Sequence, residues 1–210
     1  MSGRKDKIIE TAKKVFPEQF EKSSEETVRR CEESSGKMAE EFWASLKEAA
    51  KQVIHQRENS NGDDVQYILF SCLYSSIFLK KYLIRIDLMG KEFYNIPPLA
   101  VSYWDAGNIY CLFEKDIEEI SEKVRKEVPR IRKYEEDYMR YVYAPYYSRI
   151  TKIFIREMLE EILTNNGQTP NKNRAGEKEV KILFGEYMGE ADLLFSVGRE
   201  NIYEIFQNIC

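Results

Sequence analysis

The stretch VQYILFSCLYSSIFLKKYLIRIDLMG, residues 65–90, decides how the fold is read. Its first half is apolar and nearly free of charge. Val65, Ile68, Leu69, Cys72 and Ser76 recur at helical spacing and predict one side of a buried helix. From Tyr82 the period changes. Ile84, Ile86 and Leu88 alternate with Arg85 and Asp87, which is the two-residue period of a strand. Gly90 followed by Phe93-Tyr94 predicts a hairpin, which Pro97-Pro98 ends. The apolar run from Ile68 to Leu79 is interrupted by Ser71, Ser75 and Ser76 and is too short to span a bilayer.

Upstream, residues 1–57 predict an amphipathic helical segment. Pro17 is expected to interrupt it, Ser23-x-x-Glu26 has the form of a capping box, and Gly36 is a place to bend or split it. Val28, Cys31, Met38, Phe42, Leu46, Ala49 and Val53 make a long apolar stripe. Downstream, Trp104-Asp105 precedes Gly107-Asn108, so Asp105 is expected to cap a helix beginning there. Residues 114–137 are dense in mixed charge and predict a solvated helix face. Pro129 breaks that helix, and a second one runs on to about Leu163. Residues 165–178 read as a mobile loop, and 179–210 as a hairpin followed by a short helix.

In the final hairpin, burial dictates the expected register. With Met188-Gly189 as a two-residue turn, Val180 faces Val197, Ile182 faces Phe195, Phe184 faces Leu193 and Glu186 faces Ala191. Turn chemistry favours a three-residue loop instead. Burial of several apolar side chains outweighs turn type in this reading, which leaves Glu186 as a carboxylate aimed inward.

Together these segments predict a mainly α fold with one or two short antiparallel β-hairpins (α+β), built as a multi-helix bundle-like core in a single domain over 1–210. The chain has 210 residues, 43 % of them hydrophobic and 32 % charged, with a net charge of −4. That composition is globular and argues against neutralising nucleic-acid phosphates. The four cysteines are far apart and there is a single histidine, so no metal site, cofactor or disulfide is expected. No secretory signal is legible at the start, which makes the cytoplasm the expected location and a membrane association unexpected.

Six of the fourteen tyrosines lie between Tyr134 and Tyr147. Tyr134, Tyr138 and Tyr141 share one helix face, and Tyr143, Tyr147, Ile150 and Phe154 a neighbouring one, with Pro145 expected to kink the axis. Such stripes are usually packing, yet six hydroxyls are costly to satisfy in an ordinary core. Two functions follow. The first is a non-enzymatic module that binds a partner protein or, through the helix Ser24–Arg57, its own copy as a homodimer. The second is a small-molecule binder or enzyme whose pocket is lined by Tyr138, Tyr141 and Tyr143, with Glu135 as an acid or acceptor and Glu186 completing it. No phosphate-binding loop and no nucleophile elbow accompanies these residues.

Overall fold

A computed structural model of the chain describes residues 3–59, 64–165 and 179–210. Within these, the elements run α1 (Arg4–Glu33), α2 (Ser35–Asn59), β1 (Tyr67–Cys72), α3 (Tyr74–Phe78), β2 (Leu83–Met89), β3 (Ala100–Asp105), α4 (Phe113–Glu127), α5 (Lys133–Asn165), β4 (Glu179–Glu186), β5 (Ala191–Gly198) and α6 (Arg199–Ile209). The strands form one mixed sheet in the order β3-β2-β1-β4-β5. Helices make up 63 % and strands 19 %, so the expected bundle-like core with short hairpins is corrected to six helices and a five-stranded sheet among the described residues.

The correction turns on β1. The stretch expected to be a buried helix is the central strand. It lies antiparallel to β2, with Ile68 opposite Leu88 and Phe70 opposite Ile86. It lies parallel to β4, with Ile68 opposite Ile182 and Phe70 opposite Phe184. Ile68, Leu69 and Phe70 are consecutive and all buried, because both faces of this strand are covered. A run without alternation fits helical spacing by default.

The chain divides into two compact units. The first comprises Met1–Ser35, Tyr74–Tyr82 and Ala106–Thr151. Here α1 is continuous, with Pro17 inside it, and Ser23 lies mid-helix rather than at a cap. Phe16 and Phe20 of α1 meet the rings of Tyr143, Tyr146 and Tyr147 on α5. On α4, Phe113, Ile117, Ile120 and Val124 are buried at helical spacing, each contributing roughly 1.5–3 kcal/mol of burial. Helix α4 starts at Phe113 after Leu112, while Asp105 is the last residue of β3, so Asp105 does not cap it. The short helix α3 is followed by Lys80, whose φ of 56° is left-handed. The Lys81 amide then reaches back to the Ser76 carbonyl at 3.1 Å, which closes the helix end in the way a glycine usually does.

The second unit comprises Gly36–Leu73, Leu83–Asp105 and Lys152–Cys210. One face of its sheet carries Phe70, Ile84, Ile86, Trp104, Ile182 and Phe195. That face packs on helices: Phe42 of α2 meets Phe70 and Trp104, and Trp104 stacks on Phe154 of α5. The stripe Met38, Phe42, Leu46, Ala49 and Val53 is therefore buried. The edge strand β3 is screened by α2, whose Gln52 and Gln56 amides donate to the carbonyls of Val101 and Leu99, a protection against edge-to-edge pairing.

The β4–β5 hairpin keeps half of its expected register. Val180 faces Val197 and Ile182 faces Phe195, but a bulge follows, so Leu183 faces Leu193 and Phe184 faces Asp192. Leu194 is the extra residue. The bulge satisfies burial and turn chemistry together: Leu194 is buried while Leu193 is exposed. Glu186 and Glu190 close the turn through the Glu186 amide and the Glu190 carbonyl at 3.0 Å, leaving Tyr187, Met188 and Gly189 as a three-residue loop. Met188 takes the left-handed position, with φ 57°. Residues 60–63 and, of the loop expected at 165–178, residues 166–178 lie outside the described residues, while Asn165 is the last residue of α5. Among the described residues no helix is long and apolar enough to cross a membrane.

Candidate functional site

Two of the tyrosines of α5 are committed to a buried partner in the first unit. Tyr143 and Tyr147 are fully buried and donate to Asp116 Oδ2 at 2.8 and 2.7 Å. Gln19 donates to Asp116 Oδ1 at 3.0 Å, and the Ser23 hydroxyl donates to the same oxygen. Asp116 is 0 % exposed and receives four neutral donors, which fills the acceptor capacity of a carboxylate. Burial pushes both tyrosines well above the usual phenol range, and the Asp116 charge adds to this. They are locked as donors, not available as bases.

The remaining expected site residues of this unit are separate from that network. Tyr141 donates to the Tyr74 hydroxyl at 2.8 Å and stacks on Tyr138, whose ring lies under Lys5 Nζ at 3.7 Å. Glu135 accepts from Arg4 at 2.8 Å and from the Arg132 amide at 2.8 Å. It ties α1 to the first turn of α5, and the Arg4 hydrogen bond holds its carboxyl below the usual range. Glu186 belongs to the second unit and its side chain is exposed. The inward carboxylate is thus corrected: Glu186 follows the alternation of Val180, Ile182 and Phe184 but is the last residue of β4, at the rim of the sheet, where its side chain is exposed. Within the first unit, Tyr138 and Tyr141 pack together, Tyr143 belongs to the Asp116 network and Glu135 to the Arg4 pair.

A further network beside α4 is also closed. Arg140, 2 % exposed, pairs bidentately with Glu114, which also accepts from Tyr82 and lies 2.5 Å from Lys80. Burial opposes the Glu114 charge, but the Arg140, Lys80 and Tyr82 hydrogen bonds outweigh it and bring its carboxyl down to about 2.

The second unit holds a different arrangement, on the sheet face opposite the helices. Alternation along the strands puts Ser71 and Leu69 of β1, Arg85 and Asp87 of β2, Tyr103 of β3 and Lys181 of β4 on this face. Ser71 lies directly opposite Arg85, and Arg85 opposite Tyr103. Four rings gather there. Phe93 meets Tyr67 at 4.9 Å and Tyr94 at 4.5 Å, and Tyr94 meets Tyr187 at 6.3 Å. Phe93 is held with φ 49°, a conformation that costs a bulky residue about 1–2 kcal/mol.

Under these rings Asp87 is 0 % exposed. Burial pushes its carboxyl up, and Arg85 only partly counters this. Arg85 Nε donates to both Asp87 oxygens at 2.8 and 2.9 Å. The Arg85 guanidinium lies 4.6 Å over the Tyr187 ring. Burial raises the Tyr94 hydroxyl, and its approaches to the Met188 backbone and the Ser71 hydroxyl only partly offset this. Yet neither the Tyr94 nor the Ser71 hydroxyl closes a hydrogen bond among the described residues, although both are buried. A raised carboxyl, two unsatisfied hydroxyls and a strained aromatic therefore occur together, which is the pattern of a functional site rather than of a finished core.

This site is not legible in the sequence, where Arg85 and Asp87 mark only the alternation of a strand. The signal was the aromatic pair Phe93-Tyr94 between Gly90 and Pro97, which gives that face a cover. A separate cleft of ≈ 600 Å³ is lined by Arg57, Asp64, Arg199, Asn201 and Tyr203 among others. Both of its arginines are already ion-paired, since Asp64 lies 2.7 Å from Arg199 and 3.5 Å from Arg57. No group of side chains suited to a metal ion occurs among the described residues. The chain matches no protein-family model, no characterised protein and no solved structure.

Proposed function

We propose that the protein is a small-molecule binder whose site is the aromatic face of the sheet, built on Asp87, Arg85, Ser71, Tyr94 and Tyr187. The observation that carries this is the pair of buried, unsatisfied hydroxyls beside a wholly buried carboxylate. Each such hydroxyl costs about 1–3 kcal/mol and contributes nothing to the fold. A ligand that offers one donor and one acceptor satisfies both, and the surrounding rings supply apolar contact.

The test is a thermal-shift screen of the purified protein against nucleosides, amino acids and sugar phosphates, followed by titration of the hits. Ser71→Ala and Tyr94→Phe remove an unsatisfied group, so each leaves the free protein as stable as before or slightly more so. Each weakens binding of the hit about tenfold, the loss of one good hydrogen bond. A screen without hits, or hits whose affinity neither substitution changes, refutes the proposal.

A protein-interaction role retains one observation of its own. The stripe on Ser24–Arg57 that motivated a dimer is largely buried, but Phe78 and Leu79 are 48 % and 66 % exposed, beside Lys80 and Lys81. On this second reading Leu79→Ser lowers the association constant seen by sedimentation velocity. A wild-type protein that stays monomeric at every concentration removes self-association.

A further inference from the structure

We infer that the ligand of the aromatic face carries an oxyanion, carboxylate or phosphate, held by the terminal nitrogens of Arg85. The inference rests on the reading of that face as a binding site and adds the class of ligand it takes.

Asp87 grips Arg85 by one edge only. Both carboxylate oxygens contact Nε, and among the described residues no acceptor meets the two terminal nitrogens. The guanidinium is thus oriented from beneath by a buried carboxylate, while its outer fork stays unengaged. The Arg85 side chain remains 18 % exposed, so the fork is reachable. It is also stiff. The Tyr187 ring lies under it at 4.6 Å, and Tyr103, 47 % exposed, stands opposite it on β3. A planar guanidinium with fixed orientation and two donors in parallel matches a carboxylate or a phosphate edge and little else. Lys181, on the same face and 5.9 Å from the Tyr67 ring centre, adds a second positive charge. The flanking tyrosine rings favour an anion attached to a flat group.

The remaining chemistry of the site agrees with this division of labour. Asp87 is a positioning residue, since it acts through Arg85. The Ser71 and Tyr94 hydroxyls, deeper on the face, meet the uncharged part of the ligand. A neutral molecule of the same shape loses the contacts to Arg85 but keeps those hydroxyls.

Three probes distinguish the anion from its carrier: benzoate, phenyl phosphate and the neutral isostere benzamide, each titrated into the full chain and followed by NMR. Benzoate or phenyl phosphate binds at least about tenfold more tightly than benzamide, the worth of one charge-assisted pair. The stronger of the two anions identifies the source of the oxyanion. Arg85→Gln removes that preference, and Arg85→Lys, which keeps the charge and protects the fold, reduces it because a lysine cannot bind in two-point fashion. Equal affinity for benzoate, phenyl phosphate and benzamide, or no binding by any of them at millimolar concentration, overturns the inference. Where Tyr94→Phe weakens a neutral ligand and Arg85→Gln does not, the anion inference fails while the binding site stands. Where neither substitution matters for any ligand, both fail.

Discussion

Replacing Asp116 by asparagine tests whether the tyrosine cluster is a structural network. In the native protein Asp116 Oδ1 accepts from Gln19 and Ser23, and Oδ2 from Tyr143 and Tyr147. An asparagine has one carbonyl to offer in place of two carboxylate oxygens. Gln19 Nε2 can only donate, so the carbonyl turns toward Gln19 and Ser23. The new amide then faces two tyrosine hydroxyls, whose protons lose their acceptor. Two charge-assisted bonds at about 2 kcal/mol each are lost, and two others weaken by about 1 kcal/mol each. Relief of the buried charge returns a few kcal/mol, so Asp116→Asn costs roughly 3 kcal/mol. That is a large share of a stability on the order of 10 kcal/mol. Urea unfolding followed by far-UV circular dichroism measures it. Trp43 and Trp104 both lie in the second unit, so tryptophan fluorescence in the same samples reports whether the loss is confined to the first. Tyr143→Phe and Tyr147→Phe complete a double-mutant cycle. Each costs about 2 kcal/mol beside Asp116 and close to nothing beside Asn. If the tyrosine substitutions cost the same in both backgrounds, or Asp116→Asn is neutral, the network is not what holds these residues.

Other outcomes follow from the same contacts. Tyr82, Tyr143 and Tyr147 are all raised above their ordinary value of 10.0. The folded state therefore keeps protons that the unfolded chain releases. Their contribution is intact below pH 10 and falls by up to about 4 kcal/mol per pH unit above it, so absorbance at 295 nm will rise cooperatively with alkaline unfolding. Three tyrosines titrating independently of unfolding would contradict this. At the acid end Glu114, lowered from 4.5 to about 2, contributes stability above pH 4.5 that is lost as pH falls toward 2. Glu114→Gln should flatten the acid limb of the stability curve, and an unchanged limb would exclude it. Met188→Gly relieves a left-handed methionine that is 68 % exposed and should stabilise the protein by up to about 1 kcal/mol in urea titrations. Iodoacetamide should modify the exposed Cys111 and Cys210 first. Cys31, whose thiol burial raises to about 11, should react last by mass spectrometry.

The sequence was most legible where one face of an element is solvated. The alternation Ile84, Ile86, Leu88 identified β2, and Val180, Ile182 and Phe195 identified half of a hairpin register. It was least legible where burial removes the alternation. Ile68-Leu69-Phe70 is buried on both sides and so carries no period. Its parallel partner lies about a hundred residues away, a pairing that local spacing cannot express. The two buried aspartates were missed for the same reason. Asp116 was counted among many charges on a solvated helix. Yet Phe113, Asp116, Ile117, Ile120 and Val124 follow the spacing of one stripe, and that placement was available as a sign of burial. The burial of Asp87 is not legible because nothing in β2 itself shows that residues 93–94 cover its outer face.

The two buried aspartates also separate structure from function by physical argument. Asp116 has as many donors as it can accept, and every tyrosine around it that reaches the interior has an acceptor. A network in that state gains nothing from a ligand, because any incoming group must displace a bond of equal quality. Asp87 has one cationic partner that meets it through a single nitrogen, and the nearby hydroxyls of Ser71 and Tyr94 are unsatisfied. Here a polar ligand gains bonds without breaking any. The left-handed Phe93 points the same way. A strained residue persists only where its surroundings hold it, and its ring is held against Tyr67 on this face. Tyrosine density drew attention to α5, but density measures available chemistry and not unspent chemistry. The sheet face is the one where unsatisfied hydroxyls stand beside a buried carboxylate with a single cationic partner, and binding is to be sought there.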